Sequence, residues 1–144
     1  VTPNDGIEDG GSSQASVTVT AALDCPSESY GGSDYYFCTD SVTHTEAFEV
    51  CDASGMTLAV ITSSGENDFL HVTEDYAHEH WWIGLQRVSG SWAWDDGSTV
   101  SYTNWDPGEP DSDGDCVEYD GTNSDVGEWY DRICTWTQPF ICED

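Results

Sequence analysis

Six cysteines, Cys25, Cys38, Cys51, Cys116, Cys134 and Cys142, constrain what this chain can fold into more than any other feature. None sits in a Cys-x-x-Cys pair or beside a His at zinc-ligand spacing, so the even set reads as a disulfide framework rather than a metal site. Six cysteines allow fifteen pairings, and the spacing alone leaves all of them open. Such bridges persist in oxidising surroundings, which points to an extracellular, secreted or cell-surface location. A length of 144 residues suits one domain, and seven Trp, seven Tyr and four Phe supply the bulk of a packed core.

Charge narrows the partners. The chain carries 29 Asp and Glu against two cations, Arg87 and Arg132, for a formal net charge of −27. A polyanion cannot neutralise phosphates, so nucleic acid and anionic membrane surfaces are excluded as partners. The self-repulsion is relieved by salt, which suits a saline habitat. No basic and apolar leader opens the chain and no apolar run is long enough to span a bilayer, so the sequence reads as a mature, soluble chain with any leader removed.

Residues 1–22 read as an acidic Gly/Ser/Asp-rich tail or linker, with Val17-Thr18-Val19-Thr20 as a candidate edge strand available for self-association. Residues 23–144 read as the folded domain. Thr43-His44-Thr45-Glu46 and Ser63-Ser64-Gly65-Glu66 both fit the capping box, in which hydroxyl and carboxylate satisfy each other's backbone amides. The first helix should bury Ala47, Phe48 and Cys51 and end at Gly55; the second should bury Phe69, Leu70 and Thr73. Beyond His80, short apolar pieces at 81–85, 92–94, 116–119 and 140–142 alternate with turn-rich stretches and read as strands. Helices first and strands later give an α+β fold.

The densest acid run is Gly108-Glu109-Pro110-Asp111-Ser112-Asp113-Gly114-Asp115-Cys116. Clustered carboxylates on a short loop suit calcium, a hard cation that takes six to eight oxygen ligands and tolerates irregular geometry. Zinc would want His or Cys instead. An EF-hand loop starting at Asp111 fails, because Cys116 stands where its glycine belongs and Thr122 where its bidentate Glu belongs.

Cys51, Trp82-Ile83-Gly84-Leu85, Asn104-Trp105, Glu109-Pro110-Asp111, Cys116, Glu128-Trp129-Tyr130-Asp131, Cys134 and Cys142, in that order, resemble the C-type lectin-like domain over residues 25–144. The resemblance implies two helices packed on small antiparallel sheets, with a long loop region carrying the calcium site. It implies the bridges Cys25–Cys38, Cys51–Cys142 and Cys116–Cys134, the first closing the extra N-terminal hairpin of the family's long form. It also implies a cis Pro110 and one calcium held by Glu109, Asp111, Asp131 and Asp115, with Asp113 as the alternative to Asp115. Four carboxylates around an empty site should repel one another, so the ion is expected to stiffen the loop. A second site used by some members falls near Arg87, and a cation there argues against it.

In the family, saccharide hydroxyls replace water on the calcium. The implied function is therefore calcium-dependent binding of a neutral glycan, with Glu109, Asp111, Asp131 and Tyr130 at the sugar. Asp111 and Tyr130 stand where amide side chains are usual, so two hydrogen-bond donors are missing. The alternative is a calcium-stabilised adhesion or assembly module that binds protein; ice binding, known in some relatives, stands third. Nothing in the sequence supports an enzyme: there is no nucleophile elbow, no phosphate-binding glycine loop and no uncommitted Cys. His71, His78 and His80 read as surface histidines, since no HExxH motif is present.

Overall fold

The computed structural model describes residues 24–72, 80–121 and 127–144. The tail 1–22 with its candidate strand, Thr73 and His78 lie outside the described residues.

Thr43 opens α1 (His44–Ala53) with a reciprocal capping box: its hydroxyl accepts from the Glu46 amide, and the Glu46 carboxylate accepts from the Thr43 amide at 2.9 Å. Past the helix end, Gly55 takes φ 78°, a left-handed conformation open to glycine at little cost. The helix buries His44, Ala47 and Cys51; Phe48, expected on that face, is exposed. α2 (Ser64–Val72) starts differently. Ser63 accepts from the Glu66 amide at 3.1 Å, but the Glu66 carboxylate passes over Ser63 to accept from the Thr62 amide at 2.7 Å and from the Tyr35 hydroxyl.

Among the described residues the strands are β1 (Ser27–Tyr30), β2 (Ser33–Val42), β3 (Thr57–Leu58), β4 (His80–Val88), β5 (Ser91–Trp94), β6 (Cys116–Asp120), β7 (Trp129–Arg132) and β8 (Gln138–Glu143). They join in one sheet of order β1-β2-β8-β4-β6-β7, with β3 on β8 and β5 on β4. The two helices and antiparallel strands are those of the expected α+β fold, and a parallel contact between β4 and β8, at Trp82 and Phe140, joins the strands into one sheet.

Alternation along the strands divides the core in two. Trp81, Ile83, Leu85, Val117, Tyr119, Trp129 and Ile141 face α2's Leu70, while Trp82, Cys116, Phe140 and Cys142 face α1's Ala47 and Cys51. Both faces of β4 are therefore covered, which is why its sequence is a continuous apolar run. Disulfides tie Cys25 to Cys38, Cys51 of α1 to Cys142 of β8, and Cys116 of β6 to Cys134, with Cα atoms 5.0, 5.5 and 5.2 Å apart.

Candidate functional site

Trp129 positions the site. Its indole N–H donates to the Asn67 side-chain oxygen at 2.9 Å, and its ring meets Trp94, Tyr102 and Trp105 edge-on at centroid distances of 5.8–5.9 Å. The Trp129 carbonyl accepts from the Asp106 amide at 3.0 Å, so the loop leaving Trp105 is strapped to β7. Two residues along the strand, on the same face, stands Asp131. It is fully buried.

The loop then brings two more acids to Asp131. The Glu109–Pro110 peptide is cis. Carboxylate oxygens of Glu109, Asp111 and Asp131 lie within 4.8 Å of one another, the one group of three potential metal-ligating side chains among the described residues. Backbone amides hold them in place: Asp111 N–H donates to Asp131 Oδ1 at 3.0 Å, Gly114 N–H to Asp131 Oδ2 at 3.4 Å, Asp113 N–H to Asp111 Oδ1 at 3.0 Å, and Asp131 N–H to Glu109 Oε1 at 3.3 Å.

Burial and the hydrogen bond to Asp131 push the Glu109 carboxyl up to about 7. Burial also acts to raise Asp131, but the hydrogen bond from Glu109 and the Asp111 and Gly114 amides outweigh it and hold Asp131 below its usual value. Ionising two carboxyls this close is costly, and of the pair Glu109 is the one that holds its proton more tightly. The donor set is all hard oxygen, with no His or Cys in the group, and fits calcium rather than zinc.

Asp115 lies apart from this trio. Its carboxylate accepts from Arg87 Nε at 2.9 Å and is largely exposed. Asp113 contributes its amide, and its side chain is not in the group. Position 114 itself must be glycine, because a Cβ there would meet the Arg132 carbonyl oxygen at 1.9 Å. Tyr130 alternates to the other face of β7, where its ring carries the Arg132 guanidinium at 4.6 Å and its hydroxyl donates to Asp106. Burial and that acceptor raise its pKa above the usual tyrosine range.

Arg87 is the participant that sequence reasoning missed. Its Nη2 reaches the Gly114 carbonyl at 2.8 Å and lies 3.8 Å from Asp131 Oδ2. Nothing near the acid run in sequence is cationic, but Gln86 pairs with Cys116 across β4 and β6 and delivers its neighbour to Asp115. The available signal was scarcity: a chain with two arginines placed one where an acid cluster needs it.

Comparison with known proteins agrees with this architecture. The family model for the lectin C-type domain matches residues 40–144, and the chain belongs to that family. It is 35% identical to E-selectin of Bos taurus over 115 residues, which cover 75% of this chain and 24% of that protein. The SPL-1–GlcNAc complex superimposes with a TM-score of 0.73 at 30% identity, over 84% of this chain and 95% of that one. The Ca2+-independent C-type lectin SPL-2 from Saxidomus purpuratus gives a TM-score of 0.74 at 29% identity, over 84% and 94%. The chain spans between 24% and 39% of the length of the E-selectin and asialoglycoprotein receptor relatives it matches.

Proposed function

We propose that this chain is a calcium-dependent carbohydrate-binding domain of a secreted or cell-surface protein, with its site at Glu109, Asp111 and Asp131. The observation that carries the reading is the convergence of those three carboxylates, including a fully buried one, within 4.8 Å. Carboxyls crowded this closely repel one another when ionised, which a dication would relieve. When bound, the ion supplies a positive centre on which two vicinal hydroxyls of a neutral saccharide can replace water. Glu109 and Asp111, the more accessible members, would accept hydrogen bonds from those hydroxyls. Asp131, gripped by two loop amides, fixes the distance between loop and strand.

The missing amide donors favour a second reading, a calcium-stabilised module that binds protein instead. Asp111 offers acceptors alone, so a sugar must donate where it would otherwise accept. Each hydrogen bond lost to a charged group costs about 1.5–3 kcal/mol.

One experiment separates these. Millimolar calcium should raise Tm according to RT ln(1 + [L]/Kd), and a neutral-glycan array should bind in calcium and lose binding in chelator. Asp111→Ala, at an exposed position, should abolish both responses without unfolding the domain. An undiminished calcium response in that variant refutes the ligand assignment. Binding that survives chelator refutes the calcium-centred mechanism, and a calcium response without any glycan favours the protein-binding reading.

A further inference from the structure

From the contacts of Arg87, we infer that its guanidinium is a resident cation of the site, holding residues 114–115 in place before any ion enters and weakening the hold of the carboxylates on that ion. The inference rests on the calcium reading above for its second half only. Arg87 and Trp92 are cross-strand partners, and the guanidinium lies over the indole at 4.7 Å from the ring centroid, which fixes the side chain's direction. From there it holds the loop at two points, Nε on the Asp115 carboxylate at 2.9 Å and Nη2 on the Gly114 carbonyl at 2.8 Å. A third link is backbone to backbone, Arg87 N–H to the Asp115 carbonyl at 2.7 Å. About three-quarters of the Arg87 side chain is covered, which shields its bond to the Gly114 carbonyl, while the Asp115 carboxylate at the other contact stays largely exposed.

Two consequences follow from charge. The first concerns the loop: four acids at 109, 111, 115 and 131 were expected to loosen it when no ion is present, yet one of them is already neutralised by Arg87. The second concerns the ion. A unit positive charge 3.8 Å from Asp131 Oδ2 competes with a dication for the same carboxylate. Arg87 thus acts as a positioning residue for the loop and an affinity-setting residue for the metal. Only a fork-shaped, permanently charged side chain can do both, since lysine keeps the charge but loses the second directed donor.

The test compares the whole chain with Arg87→Gln and Arg87→Lys. In chelator, amide exchange at Asp113 and Gly114 should quicken in both variants. By calorimetry, calcium should bind Arg87→Gln on the order of tenfold more tightly than the unaltered chain, while Arg87→Lys stays within about twofold of it. Unchanged exchange in both variants overturns the inference, as does a calcium affinity in Arg87→Gln equal to or weaker than that of the unaltered chain. A surface ion pair with a purely structural role would lower Tm slightly and leave calcium affinity where it was. Should the unaltered chain bind no calcium at all, the proposed function fails in its metal step. The clamp is then judged on exchange alone, where quickening supports it and no change overturns it.

Discussion

At the scale of single residues, Asp95 is an acid outside the site whose environment works against its ionised form. Asp95 follows β5 with Oδ1 accepting from Gln86 Nε2 at 2.8 Å, while Oδ2 is buried without a partner. Burial is the main cause of a pKa raised to about 6, with Asp96 adding to it and the Gln86 bond opposing it. A carboxyl raised on folding contributes stability that is complete below its unfolded value near 4 and is lost as pH climbs through about 6. At neutral pH it is a net cost. Asp95→Asn keeps the acceptor for Gln86 and cannot ionise, so it should be more stable than the parent by about 2 kcal/mol at pH 7. The gain should vanish near pH 4, where the parent is itself neutral. Urea unfolding at both pH values checks this, and an equal difference at the two would rule it out. The same scale shows where sequence reading stopped. Glu109, Asp111 and Asp131 were singled out by the resemblance, and their carboxylates come together. The partner of Asp115 was not legible, because it arrives through strand register across 28 positions.

At the scale of elements, hydroxyl-x-x-Glu marked both helix starts, yet only α1 keeps the reciprocal box. The reason is a tertiary acceptor demand that local pattern cannot show. The Tyr35 hydroxyl is buried on β2 and needs a partner, and Glu66, on the inward side of α2, is in reach. Burial first, and then the negative carboxylates of Glu66 and Glu143, push the Tyr35 hydroxyl above the usual tyrosine range, so it stays a donor. Glu66 therefore joins a helix start to the sheet, whereas Glu46 serves its own helix alone. Glu46→Ala should cost about 1 kcal/mol, as cap losses do. Glu66→Ala strands the Thr62 amide and leaves the buried Tyr35 hydroxyl only its longer bond to Glu143 at 3.4 Å, and should cost about 2 kcal/mol. Chemical unfolding of the two variants tests the ordering, and equal losses would mean that the Tyr35 contact contributes little. Phe48 misled for a related reason: His44, Ala47 and Cys51 already fill the narrow buried stripe of α1, and helical spacing alone does not say how wide that stripe is.

At the scale of the whole molecule, self-repulsion is the dominant unbalanced term. The chain has no third arginine and no lysine, and both arginines are committed around β6 and β7, Arg87 to Asp115 and Arg132 to Glu118 at 3.2 Å. The remaining acids have only solvent ions and four histidines to offset them. Unfolding separates these charges, so the compact state bears the larger penalty, and screening should relieve it selectively. Raising sodium chloride from about 10 mM to about 1 M shortens the Debye length from about 30 Å to about 3 Å. A relief on the order of 3 kcal/mol would lift Tm by roughly 10 °C. Screening has a signature that preferential exclusion of salt lacks. Most of the gain should come at low ionic strength and level off once the Debye length falls below the spacing of surface acids, whereas exclusion grows steadily with concentration. Calcium at fixed ionic strength should then add a separate increment, present at every sodium chloride concentration and absent in Asp111→Ala, because that increment comes from one site rather than from the net charge. A Tm that stays flat across the sodium chloride series would show that the compact state does not feel its −27 charge.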